Sequence, residues 1–448
     1  MIVARFWPPP DRRLDVRQAV TRRTFRIKLW STLTERAADH TVAPPDTPAI
    51  DATQFEHVIS IHYYGRSGSV FLHSLLDNHP QVVTLPAIYL VGFYAFWESI
   101  RELPAITALG YFLDAYEVFF DPGAEVGDTS LGTSYGLDRM GTEGDQRLGL
   151  DKGAFSDALL RKLALVIEDF QSQPLPGRYF FKAVHAAYAE VLGRKLGAGR
   201  PLLVFQGHVP EPDKLRPLAQ DFPGRVKFLH TVREPVQTLA SHYQGSGRSE
   251  QWLHLDLPRR LILQSLDYAT PMAQRSPPGE TAFEGNESRA VRLEDLHMKP
   301  RETLAKIAAW IGIEWHENLM HSTFDGKLWT WRSGDTVVQG FQSQTIAKRH
   351  GDIVTPFDRL RLKFLLADKY AAWGYDIGWP FLLTPLRLAA FMLWLWPFRF
   401  ETRLWRRRRP WDGRTVGAMG TEYLALRRHV VGRWWRGWRR REALIELL

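Results

Sequence analysis

The residues best placed to do chemistry lie between 57 and 80, in HVISIHYYGRSGSVFLHSLLDNHP. An apolar run ends at Tyr64, Gly65 and Gly68 bracket Arg66 and Ser67, and a helical pattern follows with Val70, Phe71, Leu75 and Leu76 inward. A strand turning tightly into a helix points several backbone N–H groups, and the positive end of the helix dipole, at one spot. Arg66 adds a fixed cation there. Ser67 and Ser69 add hydroxyl donors, with Ser69 placed to cap the helix. This is an anion site by construction. It is not a Walker A loop, because Gly-Lys-Ser/Thr occurs nowhere in the chain, which counts against an ATPase or an ordinary kinase.

A second basic element follows at 226–243, VKFLHTVREPVQTLASHY. Here a strand runs into Arg233, Pro235 suits a first helical turn, and Ser241 stands eight residues after Arg233. Eight residues is just over two helical turns, so a bend between them lets both groups face one phosphate.

The chain resembles the PAPS-dependent sulfotransferases. YGRSGSVFLHSLLDNHP is similar to their 5′-phosphosulfate loop, VREPVQTLASHY to their 3′-phosphate motif, and AVRLEDLHMKPRETLAKIAAWIGIEW to their Tyr-Glu-Asp-Leu segment and following helix. The three stand in the family's order over roughly 55–378. Gly65 replaces a common Pro, Arg66 the Lys of cytosolic members, Val70 a second Thr, and Leu293 the Tyr.

The resemblance implies 3′-phosphoadenosine 5′-phosphosulfate (PAPS) as co-substrate, held by Gly65, Arg66, Ser67, Gly68, Ser69, Val70, Arg233 and Ser241, with no metal required. Arg66 would clamp the leaving phosphate. His208, in PLLVFQGHVPEPDKL, matches the family's catalytic His and would take the acceptor's proton, a role that suits a neutral imidazole. Glu211 is the alternative base. In the late segment STFDGKLWTWRSGDTVVQGF, Arg332 or Lys327 would add a third cofactor contact. His62, His73 and His79 read as structural or solvent-facing.

These residues need strands and helices to hold them. Strand patterns fall at 57–63, 178–184, 201–206, 226–232 and 289–293, and helical ones at 69–78, 154–170, 235–244, 257–268, 301–312 and 358–372. Val/Ile/Phe-rich strands alternating with helices argue for a mainly parallel sheet covered on both faces. The expected fold is therefore α/β, P-loop NTPase-like, with a basic Trp/Arg-rich C-terminal helical extension. The Gly/Asp/Thr-dense stretch 121–149 reads as a lid, a binding loop or disorder.

The 448 residues contain no Cys, which excludes disulfides, thiolate nucleophiles and Cys-based metal sites. The net charge of +9 is unevenly placed. Residues 379–448 hold 15 Arg, no Lys and 5 acidic residues, whereas 51–378 carries a net charge of −5. That is not the pattern of a uniformly basic nucleic-acid-binding domain. We read 1–50 as a basic arm and Pro-rich linker without a secretory h-region, with a basic amphipathic helix at 21–37. Residues 51–378 form the sulfotransferase domain.

In 379–448 an apolar run, broken by Pro380, Pro385, Arg387 and Pro397, precedes Arg-rich segments, and eight of the 17 Trp lie there. Interleaved Arg and Trp fit an anionic lipid interface. Packing on the domain, homodimerisation and a nucleic-acid tail are the competing readings. The expected protein is a sulfotransferase peripheral to the inner face of the cytoplasmic membrane, modifying a hydroxyl of a glycan, glycolipid or other lipid-linked acceptor. The alternatives are a catalytically silent adaptor that binds PAP or acidic ligands, and an atypical nucleotide kinase.

Overall fold

The structure, a computed structural model, describes residues 49–448 apart from 91, 125–129, 134–136, 138–139, 209–210, 247–253, 268–269, 272–275, 277–278, 334–335, 348–351, 378–392, 409–410 and 438–443. At 208, 246, 267, 331–333, 336–338, 345, 347, 393 and 433–437 it describes the backbone alone. The arm at 1–48 and the apolar run 379–392 thus lie outside the described residues.

Five parallel strands form the central sheet: β1 (Val58–Tyr63), β2 (Val82–Thr84), β3 (Leu202–His208), β4 (Val226–Val232) and β5 (Glu287–Arg292), in the order β2-β3-β1-β4-β5. All six residues of β1 are buried, as a central strand covered on both faces requires. The chain leaves β1 into α1 (Ser69–Leu76) and leaves β4 into α7 (Pro235–Ser246). Between β2 and β3 lie α2 (Phe93–Ile100), α3 (Ala105–Ala115), α4 (Lys152–Leu163) and α5 (Gly177–Val191), and α6 (Pro212–Asp221) connects β3 to β4. Such a sheet flanked by helices is a P-loop-like α/β fold.

The strand expected at 178–184 is instead the first half of α5. RYFFKAV reads as a strand because aromatic and apolar residues crowd it, but the Ala-rich HAAYAEV continues it as a helix. Phe180 and Phe181 bury into an aromatic cluster, with Phe180 stacked 5.4 Å from Trp97. The short strand β2 and helices α2, α3, α5 and α6 were not legible as elements.

A second core lies beyond α7. It joins α7, α8 (Leu257–Asp267), α11 (Pro356–Leu365) and α12 (Ala367–Ala372) to α13 (Arg399–Arg407) and α14 (Gly413–Gly437). The intervening α9 (Leu293–Met298) and α10 (Pro300–Ile311) follow β5. Phe398, Phe400, Leu426 and Val430 are buried there beside Val236, Leu239 and Tyr243 of α7. Two buried ion pairs fix the join. Arg427 bonds both oxygens of Glu401, and Arg361 bonds Asp358 and, at 2.5 Å, the Trp396 carbonyl. The Phe398 ring lies between the two guanidiniums, 4.1 Å from that of Arg361 and 5.8 Å from that of Arg427.

The chain end returns to the sheet. Leu447 forms a parallel bridge with Ala290 on β5, whose N–H donates to the Glu446 carbonyl at 2.7 Å. Ile445 packs against Trp373, whose indole N–H donates to its carbonyl at 3.1 Å. The described residues of 393–448 therefore share cores and a sheet edge with 51–377. No helix among the described residues is long and apolar enough to cross a membrane.

Candidate functional site

Between β1 and α1 the backbone turns at Gly65 (φ 67°) and Gly68 (φ 87°), left-handed conformations that favour glycine. Both are also hemmed in. A Cβ on Gly65 would stand 2.9 Å from Thr238 Cγ2, and one on Gly68 would stand 2.4 Å from Leu293 Cδ1. The loop's course is thus set by packing between α7 and the start of α9.

Gly68 is the N-cap of α1 and has no side chain to spend on capping. The first intrahelical bond runs from the Leu72 N–H to the Gly68 carbonyl at 3.0 Å. The N–H groups of Ser69, Val70 and Phe71 therefore precede that bond, at the positive end of the helix dipole.

The two serines sit otherwise than expected. Ser69 begins α1 rather than capping it, and its Oγ accepts from Gln206 Nε2 on β3 at 3.1 Å. Ser67 is fully buried, with its Oγ 2.9 Å from Thr231 Oγ1 on β4 and accepting the Tyr64 N–H at 3.3 Å. Both hydroxyls are engaged inside the protein. Backbone N–H groups and Arg66 are what the loop presents.

Helix α7 turns one stripe toward this loop. Thr238 and His242 pack on Gly65, and a Cβ on Gly245 would stand 2.9 Å from Arg66 Nη1. Ser241, buried, falls in the same i, i+3, i+4, i+7 series. Burial pulls the His242 imidazole down to about 4, helped by Arg66 and Arg260.

Arg233 lies between β4 and α7, only 6% exposed. Burial holds its guanidinium below the usual range, against the opposing pull of Glu294 and Glu234. It donates to the neutral Oε1 of Gln237 at 3.3 Å. The two carboxylates are occupied by other donors. Glu234 accepts from Arg359 at 3.0 Å and from the Tyr370 hydroxyl, and Glu294 accepts the Glu234 N–H at 3.0 Å and the Tyr375 hydroxyl at 2.8 Å. His297, brought down to about 4 by burial and then by Arg233, stacks 4.8 Å from Phe71 of α1.

The remaining candidates divide. A bulge in the β1–β3 register sets His208 opposite His62 at the last residue of β3; the His208 side chain lies outside the described residues. Glu211 is the N-cap of α6 and pairs with Lys214. Arg332 occupies the hairpin Thr330–Ser333/Thr336–Gln339, opposite Val337, with its side chain likewise outside the described residues. Beyond that hairpin the Gln342 N–H donates to His297 Nδ1 at 3.0 Å, and Phe341 meets Phe71 edge-on at 5.4 Å, so the late segment docks beside α1. Lys327 belongs elsewhere. It follows Asp325 and Gly326, whose N–H donates to Asp77 at the far end of α1. A cavity of about 220 Å³, lined by Asn78, His79, Arg194 and His316, also lies at that end, away from the loop. His62, His73 and His79 are all buried.

Sequence reasoning missed Thr238, His242 and Gly245, although their i, i+4, i+7 spacing after a strand was the available signal. It also missed Thr231, His297 and the steric role of Leu293, which depend on pairings between distant segments.

Because β1 lies between β3 and β4, the carboxyl ends of these three strands face one crevice, where open α/β sheets bind ligands. Fold and site thus define a P-loop-like α/β protein with Arg66 and Arg233 beside the carboxyl ends of β1 and β4. No family model matches the chain, and no curated protein does. Among solved structures it is similar to the sulfotransferase domain from the Synechococcus PCC 7002 olefin synthase, at 16% identity over 75% of this chain and 100% of that one, with a TM-score of 0.38. It is also similar to the sulfotransferase domain from the curacin biosynthetic pathway, at 15% identity over 77% of this chain and 98% of that one, with a TM-score of 0.31.

Proposed function

We propose that the protein is a PAPS-dependent sulfotransferase that modifies a hydroxyl of a glycan, glycolipid or other lipid-linked acceptor. One observation carries this reading: a glycine-turned loop at a helix N-terminus, Arg66 and the buried Arg233 lie together at the carboxyl edge of a parallel sheet. The site fits a ligand with two separate phosphate groups. The loop N–H groups and Arg66 suit the 5′-phosphosulfate end, and Arg233 with Ser241 suits the 3′-phosphate.

In the reaction the acceptor oxygen bonds to sulfur as the sulfur–oxygen bond to the 5′-phosphate breaks. The products are a sulfate ester, PAP and a proton. Charge grows on the departing phosphate oxygen, where a guanidinium and fixed N–H dipoles stabilise it without reorganising. Arg66 stays protonated throughout, so its role is electrostatic. His208, at the end of β3, is the proposed proton acceptor, and such a base contributes about 10²–10⁴ in rate. Glu211 would have to leave Lys214 to serve.

Thermal unfolding with PAP, PAPS or ATP tests the donor site. A ligand that binds only the folded state stabilises it by about 2.7 kcal/mol at a hundredfold excess over Kd. PAP is expected to raise the midpoint of wild type but not of Arg233→Ala, and ATP to do little. Transfer of label from PAPS to lipid-linked acceptors then tests catalysis. PAP binding without transfer to any acceptor would favour a silent adaptor, and no effect of PAP would overturn the reading.

A further inference from the structure

The tail carries an exposed apolar and aromatic surface rimmed by arginine. Trp396 is 68% exposed, Leu424 65% and Leu395 60%. Trp411, Val416 and Val431 are exposed as well. At 100° per residue, Val416, Leu424 and Val431 fall within an arc of about 80° on α14. That arc lies beside the buried stripe of Met419, Leu426 and Val430. Tyr423, between the two stripes, and Arg427, one turn on at the edge of the exposed arc, hold the Leu395 and Trp396 carbonyls, the latter at 3.2 Å. Trp405 lies 6.1 Å from Tyr423, and its carbonyl accepts the Trp411 indole N–H at 2.9 Å. The exposed residues therefore form one continuous face.

Its rim is mainly basic, with the exposed Asp412 among the arginines. Arg406, Arg408, Arg414 and Arg428 are exposed around it. The acids nearby serve the fold: Glu401 binds Arg427, Glu422 binds Arg259 at 2.6 Å, and Asp412 accepts the Thr415 N–H at 2.6 Å. We propose that this face docks the protein on an anionic lipid surface such as a cytoplasmic leaflet, with Leu395, Trp396, Trp411 and Leu424 entering the interface and the arginines at the headgroups.

Charge selects this occupant. Trp and Leu suit the headgroup–acyl boundary, and arginines beside them are drawn to anionic lipid. A two-fold pairing with a second copy would set the same arginines against each other. A nucleic acid would use Arg and Trp, but Val416, Leu424 and Val431 offer no surface for base stacking. The face is built on α14 and the segments that flank α13, and none of its residues belongs to the loop, α1 or α7, so the proposal stands independently of the donor site.

Co-flotation of the full chain with phosphatidylcholine vesicles, with and without phosphatidylglycerol, tests it. Flotation is expected only with phosphatidylglycerol and is expected to weaken as salt rises. Arg406→Gln/Arg414→Gln is expected to weaken partitioning about thirtyfold, and Trp396→Ser/Leu424→Ser by about tenfold or more. All four positions are exposed, so both variants should keep wild-type unfolding midpoints and the same response to PAP. The proposal fails if the chain does not float, or if flotation ignores phosphatidylglycerol. It also fails if both double variants float like wild type. Loss of a sedimenting dimer in the apolar variant, without flotation, would assign the face to a second copy. Duplex or single-stranded DNA binding that only the arginine variant loses, without flotation, would assign it to nucleic acid.

Discussion

Arg427 and Arg233 are both buried guanidiniums, 4% and 6% exposed, yet the protein surrounds them differently. In the tail, Arg427 meets both oxygens of Glu401 and lies 3.9 Å from the Tyr423 ring. At the sheet edge, Arg233 bonds a neutral amide oxygen, while the carboxylates beside it accept from Arg359, Tyr370 and Tyr375. Charge in the tail is balanced within the fold. In the crevice, burial lowers the Arg233 guanidinium against the pull of Glu294 and Glu234. A buried cation balanced by its own carboxylate holds structure; one balanced by its neighbours' field is suited to an anionic ligand.

Substitutions at Glu401 and at Arg233 should have opposite effects on stability and on ligand binding. Glu401→Ala leaves Arg427 buried without its carboxylate, which typically costs about 3–5 kcal/mol. Urea unfolding should show that loss, while PAP still raises the midpoint of the folded fraction. Replacing the pair together, Glu401→Leu with Arg427→Met, should recover most of it. Arg233→Ala should behave in reverse, with a stability change within about 1 kcal/mol and the PAP response abolished. If Arg233→Ala unfolds the protein and Glu401→Ala does not, the two arginines have exchanged roles and the argument fails.

Gly68→Ala comes next. A left-handed alanine costs about 1–2 kcal/mol, and its Cβ must displace Leu293, at about 1–3 kcal/mol more. The expected loss is therefore about 2–5 kcal/mol, accompanied by loss of the PAP response because the turn carries the N–H groups. Leu293→Ala added to it should restore some stability, since only the steric share is relieved. Full recovery would mean that φ at this position does not matter.

Buried titratable groups, at the crevice and elsewhere under the sheet, add a pH-dependent test. Burial brings His73, His185, His242 and His297 down to about 4. The unfolded chain takes up these protons near 6.5 and the folded one does not. Their contribution is thus present in full above about pH 6.5 and is lost as pH falls toward 4. Asp325 works the other way. Burial and then Asp77 push its carboxyl up to about 6, so it favours the folded state at low pH and loses that contribution as pH rises from about 4 through 6. Burial likewise pushes the Asp221 carboxyl up to about 6, so four groups against two predict net acid destabilisation, each histidine adding a slope of up to about 1.4 kcal/mol per pH unit. Unfolding midpoints between pH 4 and 7 should show a shallower acid limb in His242→Gln and a steeper one in Asp325→Asn. A flat wild-type profile would contradict the buried neutral histidines.

What the sequence disclosed follows the range of the interactions. Strand β4 and the starts of α1, α7 and α8 were legible because apolar runs, Gly and Pro mark them locally. Arg66 and Arg233 were legible because each follows a strand directly. Helix α5 was not, because a helix buried nearly all round loses its period and an aromatic run then looks like a strand. The packing of the tail was also hidden. Arg427 and Glu401 lie 26 residues apart, and Arg361 reaches Trp396 across 35. From composition alone, arginines that pair inside the fold and arginines that face outward look the same.

Ser67→Ala has the smallest expected effect and bears most directly on how the loop works. If the Ser67 hydroxyl held a phosphate, its removal would cut PAP binding as Arg233→Ala does. In the structure that hydroxyl instead joins Thr231 on β4 to the Tyr64 N–H, bracing the loop against the sheet from inside. Its loss should therefore cost about 1 kcal/mol of stability, the net worth of a typical buried hydrogen bond, and should leave the PAP response close to wild type. Thr231→Val should have a similar effect, and the two losses should add to less than their sum, because they share one bond. A PAP response lost in Ser67→Ala but kept in Thr231→Val would turn the hydroxyl outward, making the loop a side-chain cradle rather than a backbone one.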